Sequence, residues 1–297
     1  MANDDSKNFA QLENSDYQGS PIELYKFTFG DKEDSVYHYC NGIAALQRDP
    51  TKPSSETTPY VASDNDPIWL PTPINREAIQ QSSKAERTSL IIHVPVDTDL
   101  AQMYGDYPPA TVCTCTIYAG HLTDPYMQFR TIWQGRILSV TKHEDVTDLT
   151  CDSLLASFAR PGLRRNFQYP CPLILYSQYC RANKRAFRAE VIEVINGRTM
   201  TVKGGWNEDV DFAKFTNGII TWQGENGLES RTLGTVNEKQ LAIRGSLRYL
   251  KAGTICNIYL GCNHQLDDCE NLHHNVQNYG GQPWIPLKNP CKYHDYW

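Results

Sequence analysis

Four cysteines in two pairs are the residues of this chain whose type and spacing could do chemistry. Eight residues separate Cys171 from Cys180, and six separate Cys262 from Cys269. Both pairs lie in segments rich in Pro, Gly, Asn and aromatic residues, which is typical of loops rather than helices. Four thiols brought together from two distant loops could bind an iron–sulfur cluster, bind zinc or close as disulfides.

The spacing alone does not choose between these chemistries. Neither pair has the two-residue separation common in zinc ribbons, and neither matches the cysteine run of a ferredoxin. The spacing is therefore neutral between an iron–sulfur cluster and zinc, and mildly against a standard zinc finger. Pro170 and Pro172 restrict the backbone on both sides of Cys171, and Gly261 precedes Cys262, as suits a site of fixed geometry.

A group of cations surrounds the first cysteine pair in an otherwise acidic chain. A thiolate-bound [4Fe-4S] centre is negatively charged, and nearby cations and backbone N–H groups stabilise it. The same cations would also fit a solvated basic face or a contact with a partner. The group consists of Arg160, Arg164, Arg165, Arg181, Lys184, Arg185 and Arg188.

Composition excludes several classes of protein. A chain of 297 residues predicts roughly two domains, and 40% hydrophobic residues is ample for a core. The net charge of −6 argues against a nucleic-acid binder held by phosphate neutralisation. No run of about 18 apolar residues occurs, so no transmembrane helix and no stable membrane insertion are expected. The first residues lack the features of a signal peptide, so we expect synthesis in a cytosol, where thiols stay reduced.

The pattern of apolar residues predicts a mainly β protein. Short runs with a period of two are separated by turn signals every 8–12 residues or so, which is typical of β-barrels or sandwiches. Cys113 and Cys115 point to one face of such a run, and we predict that they are core residues rather than ligands. The predicted strands cover residues 24–29, 35–40, 86–96, 110–119, 130–140 and 190–195.

Three regions and two short helices complete the predicted organisation. Residues 1–19 are polar and acidic and are expected to be a flexible arm. Residues 20–160 are predicted to form an N-terminal β-barrel region, and residues 161–297 a C-terminal β domain that carries the cysteine site. The two predicted helices span residues 75–84 and 151–158.

The usual enzyme signatures are missing from the sequence. It contains no phosphate-binding loop, no dinucleotide-binding glycine motif, no nucleophile elbow and no zinc-protease motif. Four histidines crowd the C-terminal region, so a Cys/His nucleophile pair is conceivable there. Histidines beside a metal site, or merely exposed ones, are the favoured interpretation, and we predict no enzyme. The four are His264, His273, His274 and His294.

The cysteine segments resemble a known family. Residues 169–187 (YPCPLILYSQYCRANKRAF) and the block LGC at 260–262, Cys269 and NVQNYGGQPWIP at 275–286 are similar to tailed-phage tail-tip hub proteins. That family includes the hub protein of gene transfer agents and, more distantly, the tip attachment protein of lambda-type tails. The upstream stretches LYKF at 24–27, NREAI at 75–79 and WQGR at 133–136 agree, so the resemblance covers nearly the whole chain.

The resemblance implies a structural protein of the virion tail tip, made in the host cytoplasm. It implies a homotrimeric β-barrel hub that joins the distal tail protein ring to the central spike or fibre. The lumen of this ring would pass DNA without sequence-specific binding, with the tape-measure protein as a further neighbour. A [4Fe-4S] cluster would be held by Cys171, Cys180, Cys262 and Cys269.

Other functions remain open at this point. The same cysteines could bind zinc in a hub without iron–sulfur chemistry. A cell-wall hydrolase at the tail tip could use a Cys/His pair, which requires a cysteine beside a well-placed histidine. An iron–sulfur redox protein acting alone would need a substrate or electron-transfer surface.

Overall fold

The computed structural model shows a mainly β protein with few short helices, which confirms the predicted fold class. The chain divides into two compact units, Met1–Arg160 and Pro161–Trp297. No helix in the part of the chain that the structure describes is long and apolar enough to cross a membrane. The described residues are 11–15, 19–30, 36–52, 59–80, 89–105, 108–154, 156, 166–224, 227–247 and 250–286.

The first unit is built on one sheet of nine strands. Its strands are β1 (Pro21–Phe29), β2 (Val36–Cys40), β3 (Leu46–Gln47), β4 (Ile68–Pro71), β5 (Asn75–Arg76), β6 (Ser89–Pro95), β7 (Cys113–His121), β8 (Phe129–Lys142) and β9 (Val146–Ser153). A short helix, α1 (Asp99–Met103), follows β6. The strand order is β3-β4-β2-β1-β7-β8-β9-β6-β5, and all neighbours are antiparallel except β2 and β4.

The sheet of the first unit curls around its own core. Tyr25 and Phe27 on β1 share one buried cluster with Ile92 and Val94 on β6, although three strands lie between β1 and β6. The pairings of β7 with β8 and of β8 with β9 each contain a register shift, and shifts of this kind bend a sheet. Over the described residues β3 and β5 do not pair with each other, so the region expected to be a barrel is a curled sheet with two ends.

The largest buried cluster of the first unit contains three thiols. Cys113, Cys115 and Cys151 are all buried in it, which confirms that the first two are core residues. Burial raises the pKa of each thiol, to about 12 for Cys113. These groups therefore stay protonated in the folded protein well above the pH at which an exposed thiol ionises.

We expect the first unit to lose stability at alkaline pH because of these thiols. An exposed thiol ionises near pH 9, so stability is complete below pH 9 and falls as the pH rises toward the folded-state values. Thermal unfolding under reducing conditions between pH 8 and pH 11 should show this fall. Cys115→Ala should flatten the dependence of Tm on pH, whereas Ile117→Val on the same strand should keep it. An unchanged slope in Cys115→Ala would contradict the assignment.

The predicted helix at 75–84 is wrong in the described residues, and the one at 151–158 is wrong at 151–153, while Leu154 and Ala156 are in a 3-10 helical turn. Asn75–Arg76 forms strand β5 and pairs with β6, and the Arg76 guanidinium lies 2.5 Å from a carboxylate oxygen of Glu23. Cys151 belongs to β9, because its buried side chain continues the core face of that strand. In both places tertiary pairing overrides local helix propensity. Residues 81–84, 155, 157 and 158 lie outside the described part.

The predicted N-terminal arm is described only in part. Residues 11–13 are helical, and Glu13 Oε2 lies 2.9 Å from Nε2 of the buried His121. These few residues therefore contact the first unit itself. Residues 1–10 and 16–18 lie outside the described residues.

The second unit is a closed barrel of six strands in the order β10-β11-β14-β13-β12-β15. Phe187, Phe215 and Trp222 fill its interior, and Gly197 has a positive φ of 69° in the turn between the first two strands. The strands are β10 (Phe187–Val194), β11 (Thr199–Val202), β12 (Ile219–Gly224), β13 (Gly227–Val236), β14 (Gln240–Arg244) and β15 (Ile255–Tyr259). Three helical turns complete the unit: Phe212–Phe215, Asp268–Leu272 and Val276–Asn278.

Barrel closure brings the two cysteine segments together. Residues 166–186 lead into β10 and residues 260–286 follow β15, and these strands are antiparallel neighbours. Phe187, the first residue of β10, pairs with Ile258 near the end of β15. The segment that enters β10 and the segment that leaves β15 therefore emerge at the same end of the barrel.

Candidate metal centre

The four predicted cysteines line one cavity of about 20 Å³ in the second unit. Cys171 and Cys180 reach it from the segment before β10, and Cys262 and Cys269 from the segment after β15. Cys269 is buried, the other three are half-buried, and all four are free thiols. The fold thus unites two pairs that are far apart in the sequence.

Direct hydrogen bonds join the two segments around the cavity. The N–H of Cys171 donates to the carbonyl of His264 (2.8 Å), and Nδ1 of His264 lies 3.0 Å from the carbonyl of Cys171. The hydroxyl of Tyr176 donates to the carbonyl of Leu260 (2.8 Å). These hydrogen bonds hold the first segment against the second without the help of a metal.

Backbone N–H groups point at two of the sulfurs. The N–H of His264 donates to Sγ of Cys262 (3.3 Å), and the N–H of Gly280 donates to Sγ of Cys171 (3.4 Å). Donors of this kind stabilise the negative charge of thiolates bound to a metal. A side-chain amide, that of Asn275, lies 3.9 Å from Sγ of Cys180.

Unusual backbone conformations concentrate in the same two segments. Tyr176, Arg181, His264 and His274 all have positive φ, between 48° and 63°. Residues other than Gly seldom adopt this region, and when they do, the strain is held by surrounding structure and often lies at functional sites. At His264 this conformation accompanies the N–H bond to the Cys262 sulfur.

Gly261 allows a close approach just before Cys262. A side-chain Cβ at this position would overlap the carbonyl oxygen of Thr216, and the N–H of Gly261 donates to the carbonyl of Lys214 (2.8 Å). The chain therefore passes directly against the turn Phe212–Phe215 and its C-terminal end. This contact sets where Cys262 leaves the barrel.

The thiols of the second segment are less acidic than exposed thiols. Burial is the main cause of the raised pKa of Cys262, and burial together with the neighbouring thiols raises the pKa of Cys269 to about 11. Cys171 and Cys180 contribute to both shifts, so the four sulfurs are close enough to repel one another when ionised. A metal that binds here must displace protons, and its positive charge removes this repulsion.

The histidines near the cavity hold backbone rather than activate a thiol. The ring of His264 contacts the carbonyl of Cys171, and Nε2 of His273 lies 2.8 Å from the carbonyl of Gly261. A cysteine nucleophile needs a lowered pKa and a neighbouring base, whereas the pKa of Cys262 is raised. His294 lies outside the described residues.

Two of the described cations of the predicted basic group have partners other than the sulfurs. Arg185 pairs with Glu208, and Nζ of Lys184 lies 4.4 Å from the ring centroid of Tyr259. The groups that approach the sulfurs are amide N–H groups. Arg160, Arg164 and Arg165 lie outside the described residues.

The residue types around the cavity are those that hold a thiolate-bound metal centre. Four thiols line one cavity and three N–H donors lie near their sulfurs, and a cluster or a thiolate zinc site uses groups of these kinds. Within the described residues, no three His, Cys, Asp or Glu side chains are arranged as ready-made ligands of one ion.

Comparison with known proteins agrees with the resemblance predicted from the cysteine segments. Residues 213–289, about a quarter of the chain, match the family model described as phage conserved hypothetical protein BR0599. This stretch includes Cys262 and Cys269. No curated protein sequence matches the chain.

The fold is shared with a solved structure over nearly the whole chain. The match is to a chain described as the virion of native gene transfer agent (GTA) particle, with a TM-score of 0.69 and 14% sequence identity. It covers 96% of this chain and 94% of that chain. The resemblance to phage proteins is thus confirmed by the family model over residues 213–289.

Proposed function

We propose that this chain is a structural protein of a phage or gene-transfer-agent virion and acts as the hub of the tail tip. As a homotrimer it forms a ring that joins the distal tail protein to the central spike or fibre. DNA passes through the lumen without sequence-specific contacts, and the tape-measure protein is a further neighbour. The role is one of assembly rather than catalysis.

One observation carries this proposal. The shared fold extends over 96% of this chain and 94% of a chain from a virion particle, so both units and their order correspond. The family model, itself described from phage proteins, supports the same assignment. A fold shared over the whole length supports an equivalent place in the particle, although fold alone does not define function.

We further propose that Cys171, Cys180, Cys262 and Cys269 hold a [4Fe-4S] cluster. When bound, the cluster would cross-link the segment before β10 to the segment after β15 through four thiolates. The N–H groups of His264 and Gly280 would stabilise the thiolate charge. Zinc at the same cysteines is the second candidate, because four thiolates are a zinc donor set, but the sulfurs would have to move closer together, since no three side chains of the described residues are arranged around one ion.

Metal analysis of anaerobically purified protein tests the cluster. We expect a broad absorption band near ~400 nm and about four irons with sulfide per chain, both lost in Cys171→Ser and in Cys262→Ser. Cys40→Ala, a change of a buried cysteine in the first unit, is the control and should keep the iron. About one zinc per chain would favour the zinc site instead, and no metal at all would remove the centre.

Particle localisation tests the hub. Gold-labelled antibody against the chain should mark the tail tip of purified particles, and particles made without the chain should lack a complete tip. The purified chain should have a mass of about three times 33.8 kDa in solution. Label on the capsid, or complete tails in the absence of the chain, would overturn the proposal.

A further inference from the structure

Asn275 contacts two cysteines of the candidate site, which its position in the sequence does not predict. It is buried and lies between the helical turns Asp268–Leu272 and Val276–Asn278. Its side-chain Nδ2 donates to the carbonyl of Cys180 (2.6 Å) and lies 3.9 Å from the sulfur of the same residue. Its main chain contacts a second cysteine, Cys269.

Two hydrogen bonds join Asn275 and Cys269, and each residue is the donor in one of them. The N–H of Asn275 donates to the carbonyl of Cys269 (2.8 Å), and the thiol of Cys269 donates to the carbonyl of Asn275 (3.3 Å). One residue therefore bonds to a cysteine of each segment, with its side chain on Cys180 and its main chain on Cys269.

The side-chain amide is itself held in one orientation. Nδ2 of Asn278 donates to Oδ1 of Asn275 (2.6 Å), so the oxygen faces Asn278 and the NH₂ group faces Cys180. Because both atoms of the amide are occupied, the group cannot turn without losing a bond in a buried place.

We propose that Asn275 is a positioning residue that sets the separation of Cys180 and Cys269 and supplies an N–H donor to the Cys180 thiolate of the metal centre. This inference rests on the proposed cluster. Binding of metal removes the Cys269 proton and with it the bond from that thiol to the Asn275 carbonyl. The backbone bond to Cys269 and the amide bonds to Cys180 do not depend on that proton.

The donor should also tune the electronic state of the centre. An N–H that points at a thiolate sulfur withdraws charge from it and favours the more reduced, more negative state. Loss of the Asn275 donor should therefore shift the reduction potential to more negative values. If Asn275 were purely structural, its substitution would leave the reduction potential unchanged in protein whose cluster site is fully occupied.

Two substitutions and a matched control separate these roles. Asn275→Asp keeps the size and an oxygen for Asn278, but places a carboxylate oxygen against the carbonyl and the sulfur of Cys180. Asn275→Ala removes the amide without adding charge. Asn271→Ala removes an amide of the same type from the neighbouring helical turn, where the side chain is exposed and bonds to Asp267.

The metal-bound proteins are compared by the loss of absorbance near ~400 nm under an iron chelator and by redox titration. We expect Asn275→Asp and Asn275→Ala to lose the cluster roughly 10-fold faster or more, in line with the effect of outer-shell partners on metal affinity. Their potentials should be more negative, while Asn271→Ala should stay within about 2-fold of the wild-type rate. Wild-type rates and potentials in both Asn275 variants would overturn the proposal.

Hydrogen exchange of the metal-free, reduced proteins provides a readout that does not need a cluster. In both Asn275 variants the amides of residues 171–181 and 262–276 should exchange faster, while peptides from the barrel strands keep wild-type protection and show that the unit is folded. Unchanged exchange would overturn the positioning role. If the wild-type protein purified without oxygen contains no metal, both the cluster and the donor role of Asn275 are overturned. The exchange result would still decide the positioning role.

Discussion

Removal of the metal from the proposed cluster is expected to lower the Tm of the second unit by about 10 °C or more and to leave the first unit unchanged. The cluster would join two segments that otherwise meet through a few hydrogen bonds, and binding free energy at such a site counts as folding free energy. A loss of a few kcal/mol corresponds to roughly this shift for a unit of this size. Hydrogen exchange during a temperature series distinguishes the two units, since each yields its own peptides.

A variant that cannot bind metal supplies the control for this result. The double variant Cys171→Ser, Cys180→Ser should already show the low Tm, and chelator should have no further effect on it. If chelator lowers the Tm of this variant as well, the effect does not come from the four cysteines. If both units lose stability together, the centre does not stabilise the second unit alone.

The second large effect is expected from Gly261→Ala. The new methyl group would overlap the carbonyl oxygen of Thr216. The atoms nearest to it all belong to the backbone, so no flexible side chain can move to make room. Overpacking of this kind costs about 3 kcal/mol, so the free energy of unfolding of the second unit should fall by about that amount. Because Cys262 is the next residue, the iron content should fall too.

Gly204→Ala is the matched substitution for this test. The nearest atom to a Cβ at Gly204 is the carboxylate oxygen of Glu238, at 3.6 Å, which is an ordinary contact. Gly204→Ala should therefore keep both the wild-type Tm and the wild-type iron content. Chemical denaturation gives the free energy of unfolding of both variants, and metal analysis gives their iron content. If both values of Gly261→Ala equal those of wild type, the backbone at Gly261 can move away from Thr216 at little cost.

The strands could be predicted from the sequence because their signal is local. Residues 24–29 and 130–140 alternate with a period of two, and both lie within strands of the structure. Residues 75–84 contain good helix formers, and nothing local shows that Asn75 and Arg76 pair with β6. The curl of the first sheet also depends on register shifts between strands, which no single segment encodes.

Of the candidate site, only the residues with distinctive side chains could be predicted from the sequence. The cysteines and Gly261 have distinctive residue types, whereas the donors to the sulfurs are mostly backbone N–H groups that any residue possesses. His264 adopts a positive φ that its residue type does not predict. Asn275 was part of the stretch that carries the family resemblance, but its bonds to two cysteines depend on the meeting of segments far apart in the sequence.

The short strands at the ends of the first sheet limit how copies of this protein can associate. In the described residues β3 and β5 consist of two residues each, and the barrel of the second unit has no exposed edge. An edge strand of two residues offers few unpaired N–H and C=O groups to template the strand of another chain. Strand β5 pairs with only Ile92 and His93 of the seven-residue β6. Addition of a strand at β3 or β5 is therefore disfavoured, and in the proposed ring the contacts between copies would be made mainly by side chains and loops.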